Sequence, residues 1–520
     1  MYPTESKLMK QNSTKVVAAV YDRRIFNNDV RTAFFAFFAF FAVNLICSAQ
    51  IQQAWVARYN NGITNGTHQA VKTALDPNGN IYVTGFSQNT NGNLGYATIK
   101  YAPNGNQIWV ARYDSTNYPS AQAIGLTLDQ QSNAVVTGSA ITVKYDSHGN
   151  QVWTLPYSGT GIAADSSNNV CITGVSGNYT TMKFSSAGSN LWTQTFTSAG
   201  PCGAQTINIG PSNAVYVCGY EFYVYLPGNH GVAWTAIKYD SVGTQLWRID
   251  NTTHGTHGYV TVQAANVDNI GTLFLIINGD TSGFDTGAFS SGGVLLWAAP
   301  SPTDNVEDVG RGLALDSSND IVVTGNIHDD FDNNSSYGTY KLNTNGTYVW
   351  TNNYPNLPTT ANVATAIAVD QLNQIYVTGY SPGTNSGNDI VTIKYDNNGK
   401  MIWLQRYSGP GNGDDEGNAI AVDANGNVYV AGYETTAAGG TEMVLIKYAP
   451  GPFLKKEANG SFLLEAVGAA GENFDFQAST DLVNWQDLGT TNADSNGLVQ
   501  FLDTNAPLFP YRFYLSNPEQ

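Results

Sequence analysis

Two short acidic segments carry the residue types that bind calcium. Clustered carboxylates and amides suit Ca²⁺, which takes about six to eight oxygen ligands in proteins. Neither segment has the spacing of a known calcium loop, so solvated turns are the alternative, and we expect no cofactor other than calcium. The acids of the two segments are Asp329, Asp330, Asp332, Asp414, Asp415 and Glu416.

A stretch of aromatic residues between Tyr220 and Trp234 offers a second kind of site. We predict a long loop here, and long irregular loops carry binding residues more often than short turns do. Aromatic rings in such a loop could stack on sugar rings. Trp234 also aligns with ordinary strand positions of the repeats described below, so a core position is its alternative. The candidate ligand-binding residues are Phe222, Tyr223, Tyr225, His230 and Trp234.

Two common enzyme motifs are absent from the sequence, the H-E-x-x-H zinc motif and the phosphate-binding P-loop. His254 and His257 could ligate a metal, but no third ligand is evident. We therefore predict no catalytic residue, although acids from different parts of a repeated fold could still converge on one axis.

The elements that must position these residues are repeats. The first repeated pattern is an Asp, a turn and a strand that ends in Gly nine residues after the Asp, as in Asp76 and Gly85. Weaker copies begin at Gly210 and Asp268, which gives eight copies in all. An Asp that starts a turn accepts hydrogen bonds from backbone N–H groups, so we predict a structural role. The Asp residues of the full copies are Asp76, Asp129, Asp165, Asp316, Asp370 and Asp423.

The second repeated pattern is a Lys, an aromatic residue, a Gly turn and a Trp. The Trp follows the Lys by nine residues, as in Lys100 and Trp109. This row recurs in almost every copy, whereas a catalytic centre is asymmetric, so we predict that the Trp side chains pack between neighbouring units. The Trp residues at this position are Trp55, Trp109, Trp153, Trp192, Trp247, Trp297, Trp350 and Trp403.

Each repeat is predicted to form four short strands, because apolar and polar residues alternate and Val, Ile, Tyr and Thr dominate. Four-stranded units that recur every ~40–50 residues indicate the blades of an all-β propeller. The array begins with an isolated fourth strand around Trp55, and its last copy stops after the third strand. The first strand can therefore complete the last blade and close the ring. We expect eight blades, or seven if the unit around Asp165 or Asp268 does not form one.

The two patterns resemble the bacterial β-propeller repeat family, whose units read roughly A-I-A-V-D-x-x-G-N-V-Y-V-T-G followed by I-K-Y-D-x-x-G-x-x-x-W. The resemblance runs from about Trp55 to Tyr448. It implies an exported or cell-surface protein with no agreed chemistry, and it carries over no functional residue. The family is usually seven-bladed, so eight copies are a departure from it.

The G-x-x-x-W spacing is also similar to the tryptophan-docking motif of eight-bladed quinoprotein dehydrogenases. Asp396 to Gly399 is one residue shorter than that motif requires, and the sequence lacks the adjacent cysteine pair of many of those enzymes. We therefore do not expect a quinone cofactor.

The N-terminus predicts export. Arg23, Arg24 and Arg31 precede an apolar run, and small residues at Cys47 and Ala49 suit cleavage after residue 49. A retained anchor helix is the alternative, although the run from residue 33 to 49 is marginal for crossing a bilayer. We therefore predict a signal peptide at residues 1–49, no membrane span after its cleavage, and a secreted or cell-surface location.

The C-terminal part departs from the repeats. Pro450-Gly-Pro452 interrupts the pattern, and about five strand-like segments follow, which is enough for a small β-sandwich. This part is similar to modules at the ends of large exported bacterial proteins. We divide the chain into residues 1–49 as leader, 50–452 as propeller and 453–520 as β-sandwich.

Charge and cysteine content exclude several functions. The net charge is −17 although only 12% of the residues are charged. An acidic surface repels phosphate backbones, which argues against a nucleic-acid partner. Cys171, Cys202 and Cys218 follow the leader in odd number, which does not suit a disulfide framework. Cys202 and Cys218 could pair, but buried small side chains are the simpler prediction for Cys171 and Cys218.

Two hypotheses for function follow. The first is an exported, non-catalytic binding or scaffold propeller with a protein or glycan partner on the side of the variable connections. The second is a secreted hydrolase or lyase that acts on polysaccharide with acids on the same side. The two differ in that an enzyme needs two or more acids, or a bound metal, converging in one pocket.

Overall fold

The computed structural model describes residues 16–21, 51–174, 179–198, 200–226, 229–251, 260–279, 283–303, 307–328, 335–354, 362–384, 386–450, 453–457, 459–467, 471, 473–481, 483–494, 498–509 and 511–518. The chain divides into two compact units. One is Val56–Lys447, and the described residues of the other come from both ends of the chain. The first two strands are β1 (Val16–Tyr21) and β2 (Ile51–Tyr59).

Eight four-stranded antiparallel sheets lie between residues 51 and 450 of the described chain. We number them sheets 1 to 8 in chain order. The strands of sheets 1 to 4, four to a sheet, are β3 (His68–Leu75), β4 (Ile81–Gln88), β5 (Leu94–Tyr101), β6 (Gln107–Tyr113), β7 (Ala123–Leu128), β8 (Ala134–Gly138), β9 (Thr142–Tyr145), β10 (Gln151–Leu155), β11 (Gly161–Ala164), β12 (Val170–Thr173), β13 (Tyr179–Phe184), β14 (Asn190–Phe196), β15 (Cys202–Ile209), β16 (Val215–Leu226), β17 (Asn229–Tyr239) and β18 (Gln245–Asn251).

Sheets 5 to 7 have the same order, and sheet 8 takes its fourth strand from the other end of the array. The strands of sheets 5 to 8 are β19 (Thr261–Val267), β20 (Leu273–Asn278), β21 (Phe284–Phe289), β22 (Leu295–Pro300), β23 (Val309–Leu315), β24 (Ile321–His328), β25 (Ser335–Leu342), β26 (Tyr348–Tyr354), β27 (Val363–Val369), β28 (Ile375–Pro382), β29 (Asn388–Tyr395), β30 (Met401–Tyr407), β31 (Glu416–Val422), β32 (Val428–Thr435) and β33 (Thr441–Pro450), with β2 beside β33.

The first strands of the eight sheets surround one axis. Each first strand contacts the first strand of the next sheet, and β31 of sheet 8 contacts β3 of sheet 1. The middle strands are buried on both faces because each sheet packs between two others; Ile81 to Gly85, for example, are all buried. The fourth strands alternate between more and less exposed residues, as at Tyr348–Tyr354. The prediction of an all-β propeller is confirmed.

A β-bulge explains why the second strand of most sheets carries a Gly. In sheet 1 the register between β3 and β4 shifts between Ala70 and Lys72. The bulge brings the carbonyl oxygen of Gln69 against Gly85, where a Cβ would lie 1.9 Å from that oxygen. Sheets 2, 4, 6, 7 and 8 show the same shift opposite the same Gly. The repeated Gly therefore admits the close backbone approach that the bulge creates.

The other unit holds two small antiparallel sheets. Its remaining strands are β34 (Phe453–Lys456), β35 (Phe462–Val467), β36 (Asn473–Ser479), β37 (Gln486–Asn492), β38 (Leu498–Asp503) and β39 (Tyr511–Pro518). The sheet orders are β34-β35-β38 and β1-β39-β36-β37. Phe462 and Val499 of one sheet share a core with Phe476 and Tyr514 of the other, so two facing sheets form this part of the chain.

Few described residues are helical, and the predicted leader is only partly described. Two 3-10 turns occur, at Pro211–Asn213 and Ala506–Leu508. Within the ranges given above, no helix is long and apolar enough to cross a membrane. Of residues 1–49, only Val16–Tyr21 is described, and it pairs with Tyr511–Ser516 of β39. The signal peptide therefore stays a prediction, and its cleavage would remove β1 from the mature chain.

Candidate functional site

The repeated Asp residues organise the turns between first and second strands. Asp76 Oδ1 accepts hydrogen bonds from the backbone N–H groups of Asn78 and Asn80, both at 2.9 Å. A Lys of the third strand contacts the other oxygen of the repeated Asp carboxylate. In sheet 2, the distance from Lys144 Nζ to Asp129 Oδ2 is 2.8 Å. Burial acts to raise the pKa of Asp129, but the hydrogen bonds from Lys144 and Asn133 outweigh it and lower the pKa.

The Lys and Trp rows join each sheet to the next one. Lys100 and Trp109 of sheet 1 both donate to the backbone carbonyl of Ser147 in sheet 2, at 3.3 and 3.1 Å. The turn that contains this carbonyl packs on the indole, because a Cβ on Gly149 would lie 2.7 Å from Trp109. Trp donors of sheets 2 to 6 make the equivalent bonds to Ser186, Ser241, Ser291, Thr344 and Asn397. These rows are therefore structural, and we call their side of the unit the turn face.

The opposite side carries the second-to-third and fourth-to-first connections, and we call it the variable rim. A buried polar residue just before a first strand ties these connections together. Asp415 accepts hydrogen bonds from the backbone N–H groups of Gly409, at 2.5 Å, and Thr435, at 2.7 Å. Gly409 belongs to a fourth-to-first connection and Thr435 ends a second strand. Burial raises the pKa of Asp415 to about 6.

Two other sheets use different residues for the same task. In sheet 6, Asp308 accepts hydrogen bonds from the Ser301 hydroxyl, at 2.7 Å, and the His328 backbone N–H, at 2.7 Å. In sheet 1, the ring of His68 bonds Ser87 Oγ at 2.8 Å and the Ile63 carbonyl at 2.9 Å. These three sheets fill the position with Asp415, Asp308 and His68, and we call these three residues the rim anchors.

The three acids at residues 414–416 have separate hydrogen-bond partners. Asp414 accepts from the backbone N–H of Asn388 at 2.9 Å, Asp415 is a rim anchor, and Glu416 bonds the hydroxyl of Tyr433. Across the described ranges no group of three or more His, Cys, Asp or Glu residues could hold a metal ion. The contacts above give each of these acids a structural partner, and calcium binding at this run stays a prediction.

The predicted aromatic loop is corrected, because it is a long hairpin. β16 and β17 pair continuously from Val215↔Tyr239 to Val224↔His230. Phe222 and Tyr223 lie in β16 and are half-buried, and the Tyr223 ring covers Gly231. Trp234 is 2% exposed and packs edge-on against Phe289 with ring centroids 5.2 Å apart. It is a core residue and not a ligand contact.

Several predicted residues lie outside the described part of the chain. These are Asp329, Asp330 and Asp332 of the first acidic segment and the pair His254 and His257. Tyr225 lies in β16 and His230 in β17, with side chains that are likewise outside it. Of the cysteines, Cys171, Cys202 and Cys218 are free and buried, so the alternative of a Cys202–Cys218 disulfide is wrong.

A cluster of aromatic and charged residues lies on the variable rim, close to the axis. Tyr380 and Tyr433 directly follow the Gly of the second strands in sheets 7 and 8, and both are half-buried. Glu416 pairs with Tyr433 across the strands, and Arg311 of sheet 6 donates to Asn326 Oδ1 at 3.1 Å. Burial raises the pKa of Glu416, against the lowering effect of the Tyr433 hydrogen bond and of the Arg311 charge.

A second polar cluster holds the seam between sheets 7 and 8. Arg58 of β2 donates to Glu434 Oε1 at 2.6 Å and to Tyr407 Oη at 2.7 Å, and Asn60 donates to Glu442 Oε2 at 3.1 Å. Glu434 is fully buried. Burial and the neighbouring Glu434 raise the pKa of Glu442. This cluster joins the first strand of the array to its last sheet, so it serves closure of the ring.

Sequence reasoning missed the rim anchors, the aromatic residues after the Gly, and a row of arginines on fourth strands. The arginines had a signal, because Arg58, Arg112 and Arg406 each follow a repeated Trp by three residues. Arg112 bonds Ser87 Oγ at 2.8 Å, and Arg406 bonds the Ser381 carbonyl at 3.0 Å. The aromatic residues also had a sequence signal, because an aromatic residue directly follows the Gly in four copies. It is Phe after the first YVTG, and Tyr after YVCG, the second YVTG and YVAG.

Comparison with known proteins bears on the fold. Residues 402–433 match the family model of a β-propeller repeat. None of the curated proteins matches the chain.

Three similar solved structures each cover about half of this chain. A protein of unknown function from Bacteroides caccae is 15% identical and covers 52% of this chain and 91% of its own, with a TM-score of 0.32. The periplasmic gluconolactonase of Pseudomonas aeruginosa is 12% identical over 56% and 87%, with a TM-score of 0.38. A glucose dehydrogenase is 12% identical over 55% and 94%, with a TM-score of 0.30. Similarities at this level assign no activity. The chain is a β-propeller protein that carries a repeat of the β-propeller repeat family at residues 402–433.

Proposed function

We propose that this protein is an exported, non-catalytic binding propeller, secreted or held at the cell surface, that binds a protein or glycan partner on its variable rim. The observation that carries the proposal is the difference between the two faces of the propeller unit. On the turn face, repeated Asp, Lys and Trp residues serve contacts between sheets. On the variable rim, single positions change residue type between sheets, as where Tyr380 of sheet 7 is replaced by Ser139 in sheet 2 and Asn326 in sheet 6.

The contacts of the buried acids do not favour the alternative of a polysaccharide-active hydrolase or lyase. Asp415 is held by two backbone N–H groups, and Glu434 is held by Arg58 and Tyr407. An acid that transfers a proton to substrate must reach the proton it moves. Both acids are fully buried, so they stabilise connections and the ring seam instead.

The experiment is a binding screen of the purified full-length protein on glycan and bacterial surface-protein arrays, with and without Ca²⁺. Two variants separate the faces: Tyr380→Ala on the variable rim, and Leu372→Ser, which changes a residue 79% exposed at a turn on the turn face. We expect binding that Tyr380→Ala weakens and Leu372→Ser leaves unchanged. Binding that is lost with Leu372→Ser alone, or turnover of a polysaccharide, would contradict the proposal.

A further inference from the structure

Three consecutive sheets place an aromatic residue at one position of the inner rim. The position directly follows the Gly of the second strand, and it holds Tyr380 in sheet 7, Tyr433 in sheet 8 and Phe86 in sheet 1. Sheets 2 and 6 hold Ser139 and Asn326 there, and sheet 4, which is not adjacent to these three, holds Tyr220. We call Tyr380, Tyr433 and Phe86 the aromatic arc. It breaks the eightfold repetition of the unit, as expected of a site that binds one ligand.

Polar residues of the first strands accompany the arc. Glu416 is the cross-strand partner of Tyr433, and Gln69 is that of Phe86. Arg311 comes from sheet 6, just before the arc, and its charge acts on both Tyr380 and Glu416. Aromatic faces flanked by a carboxylate, an amide and a guanidinium combine apolar surface with hydrogen-bond donors and acceptors.

The arc is small and half-buried, which favours a small ligand group over a large protein surface. Tyr380, Tyr433 and Phe86 are half-buried. None of the large apolar side chains that the described chain exposes lies at this position. Protein–protein interfaces need roughly 800 Å² of accessible surface on each partner, whereas small-molecule sites are concave and lined by aromatic residues with a few polar groups.

Charge narrows the chemical class of the ligand. The chain carries a net charge of −17, and Asp414 and Glu416 set two carboxylates beside one guanidinium at the arc. This negative charge repels anionic ligands such as phosphates and uronates. A neutral pyranose has an apolar C–H face that packs on an aromatic ring, and its hydroxyls can both donate to a carboxylate and accept from a guanidinium or amide.

We infer that the aromatic arc is a binding site for a neutral, pyranose-containing glycan. The rings of Tyr380, Tyr433 and Phe86 stack on the sugar faces, while Glu416, Gln69 and Arg311 bond the hydroxyls. This inference rests on the proposed binding function and narrows it to one ligand class and one sector of the variable rim.

The test is titration calorimetry of the full-length protein with neutral oligosaccharides, namely gluco-, manno- and galacto-configured oligomers, and with an oligouronate. Tyr380→Ala should weaken neutral-glycan binding about tenfold, because one stacking surface is lost. Tyr433→Phe keeps the ring and should bind within about twofold to threefold of the parent. The matched control is Tyr118→Ala, which removes a 48% exposed tyrosine from another connection of the variable rim and should change nothing.

The outcomes separate this inference from the proposed function. Neutral-glycan binding that falls with Tyr380→Ala and persists with Tyr118→Ala supports the site. A protein partner that binds the variable rim while no neutral glycan binds overturns the site and leaves the binding function standing. Binding of the oligouronate alone, or equal losses in the two alanine variants, also overturns the site. Far-ultraviolet circular dichroism shows that each variant keeps its sheet content, so a loss of binding cannot be a loss of fold.

Discussion

The turn face and the variable rim both hold strands and connections together, but they differ in how far one residue type is repeated. On the turn face, Trp109 and its counterparts use one side-chain type to reach a carbonyl of the next sheet. On the variable rim, one position holds an Asp in two sheets, Asp415 and Asp308, and a His in a third, His68. Repetition of a residue type thus marks the contacts that build the ring. Positions that recur around the ring with changing residue types lie on the variable rim, which is the side that is free to vary.

The largest expected effect is on the turn face, at Trp192→Ala. The indole is 9% exposed, donates to the Ser241 carbonyl at 3.3 Å and lies against Gly243, so its removal leaves a cavity between two sheets. We expect the free energy of unfolding to fall by about 3–5 kcal/mol in chemical denaturation. The control Leu191→Ala changes a 50% exposed neighbour and should stay within about 0.5 kcal/mol. Equal losses would mean that the Trp row does not hold the sheets together.

A smaller effect is expected on the variable rim, as a pH dependence carried by Asp415. Folding raises the pKa of this carboxyl to about 6, so the folded state binds more protons than the unfolded state between about pH 4 and 6. Its contribution to stability is present below about pH 4 and is lost as the pH rises through 6, by about 3 kcal/mol. The free energy of unfolding should change less with pH across this range for Asp415→Asn than for the parent. An equal pH dependence in the two proteins would show that folding does not change the pKa of Asp415.

The seam between sheets 7 and 8 should respond less than the Trp row. Arg58→Met removes the charge partner of the buried Glu434, but the Arg58 side chain is 42% exposed and water can replace part of the interaction. We expect a loss of about 1–2 kcal/mol, and the double variant Arg58→Met with Glu434→Gln should recover part of it. If the double variant is no more stable than Arg58→Met alone, the loss of stability arises from packing and not from charge.

The smallest effect on stability is expected at Trp234. This variant tests whether Trp234 belongs to the core or to the binding side of the variable rim. The indole N–H of Trp234 has no hydrogen-bond partner among the described residues. Trp234→Phe therefore removes a buried unsatisfied donor along with some volume, and stability should change by about 1 kcal/mol or less. Ligand binding should not change. A loss of affinity in this variant would return Trp234 to the binding site.

The sequence predicts the turn face better than the variable rim, and the reason is physical. The Asp, Lys and Trp positions repeat at a fixed spacing because they make the same contact in each sheet, so a single chain reveals them. The rim anchors do not keep one residue type in every sheet, and Asp415 resembles a metal ligand because its neighbours are also acids. The stretch after Tyr220 was predicted as a loop, yet its aromatic and β-branched residues favour strands and extend a hairpin.

Closure by β2 also sets the order in which the molecule can become complete. Arg58 and Glu434 are separated by 376 positions along the chain, so their contact must wait until nearly the whole array has been made. Contacts this distant carry a high loop-closure cost and form slowly. Until then the array is an open arc with two unpaired sheet edges. A nascent or truncated chain therefore presents, at those edges, the surface that proteases and other strands can attack.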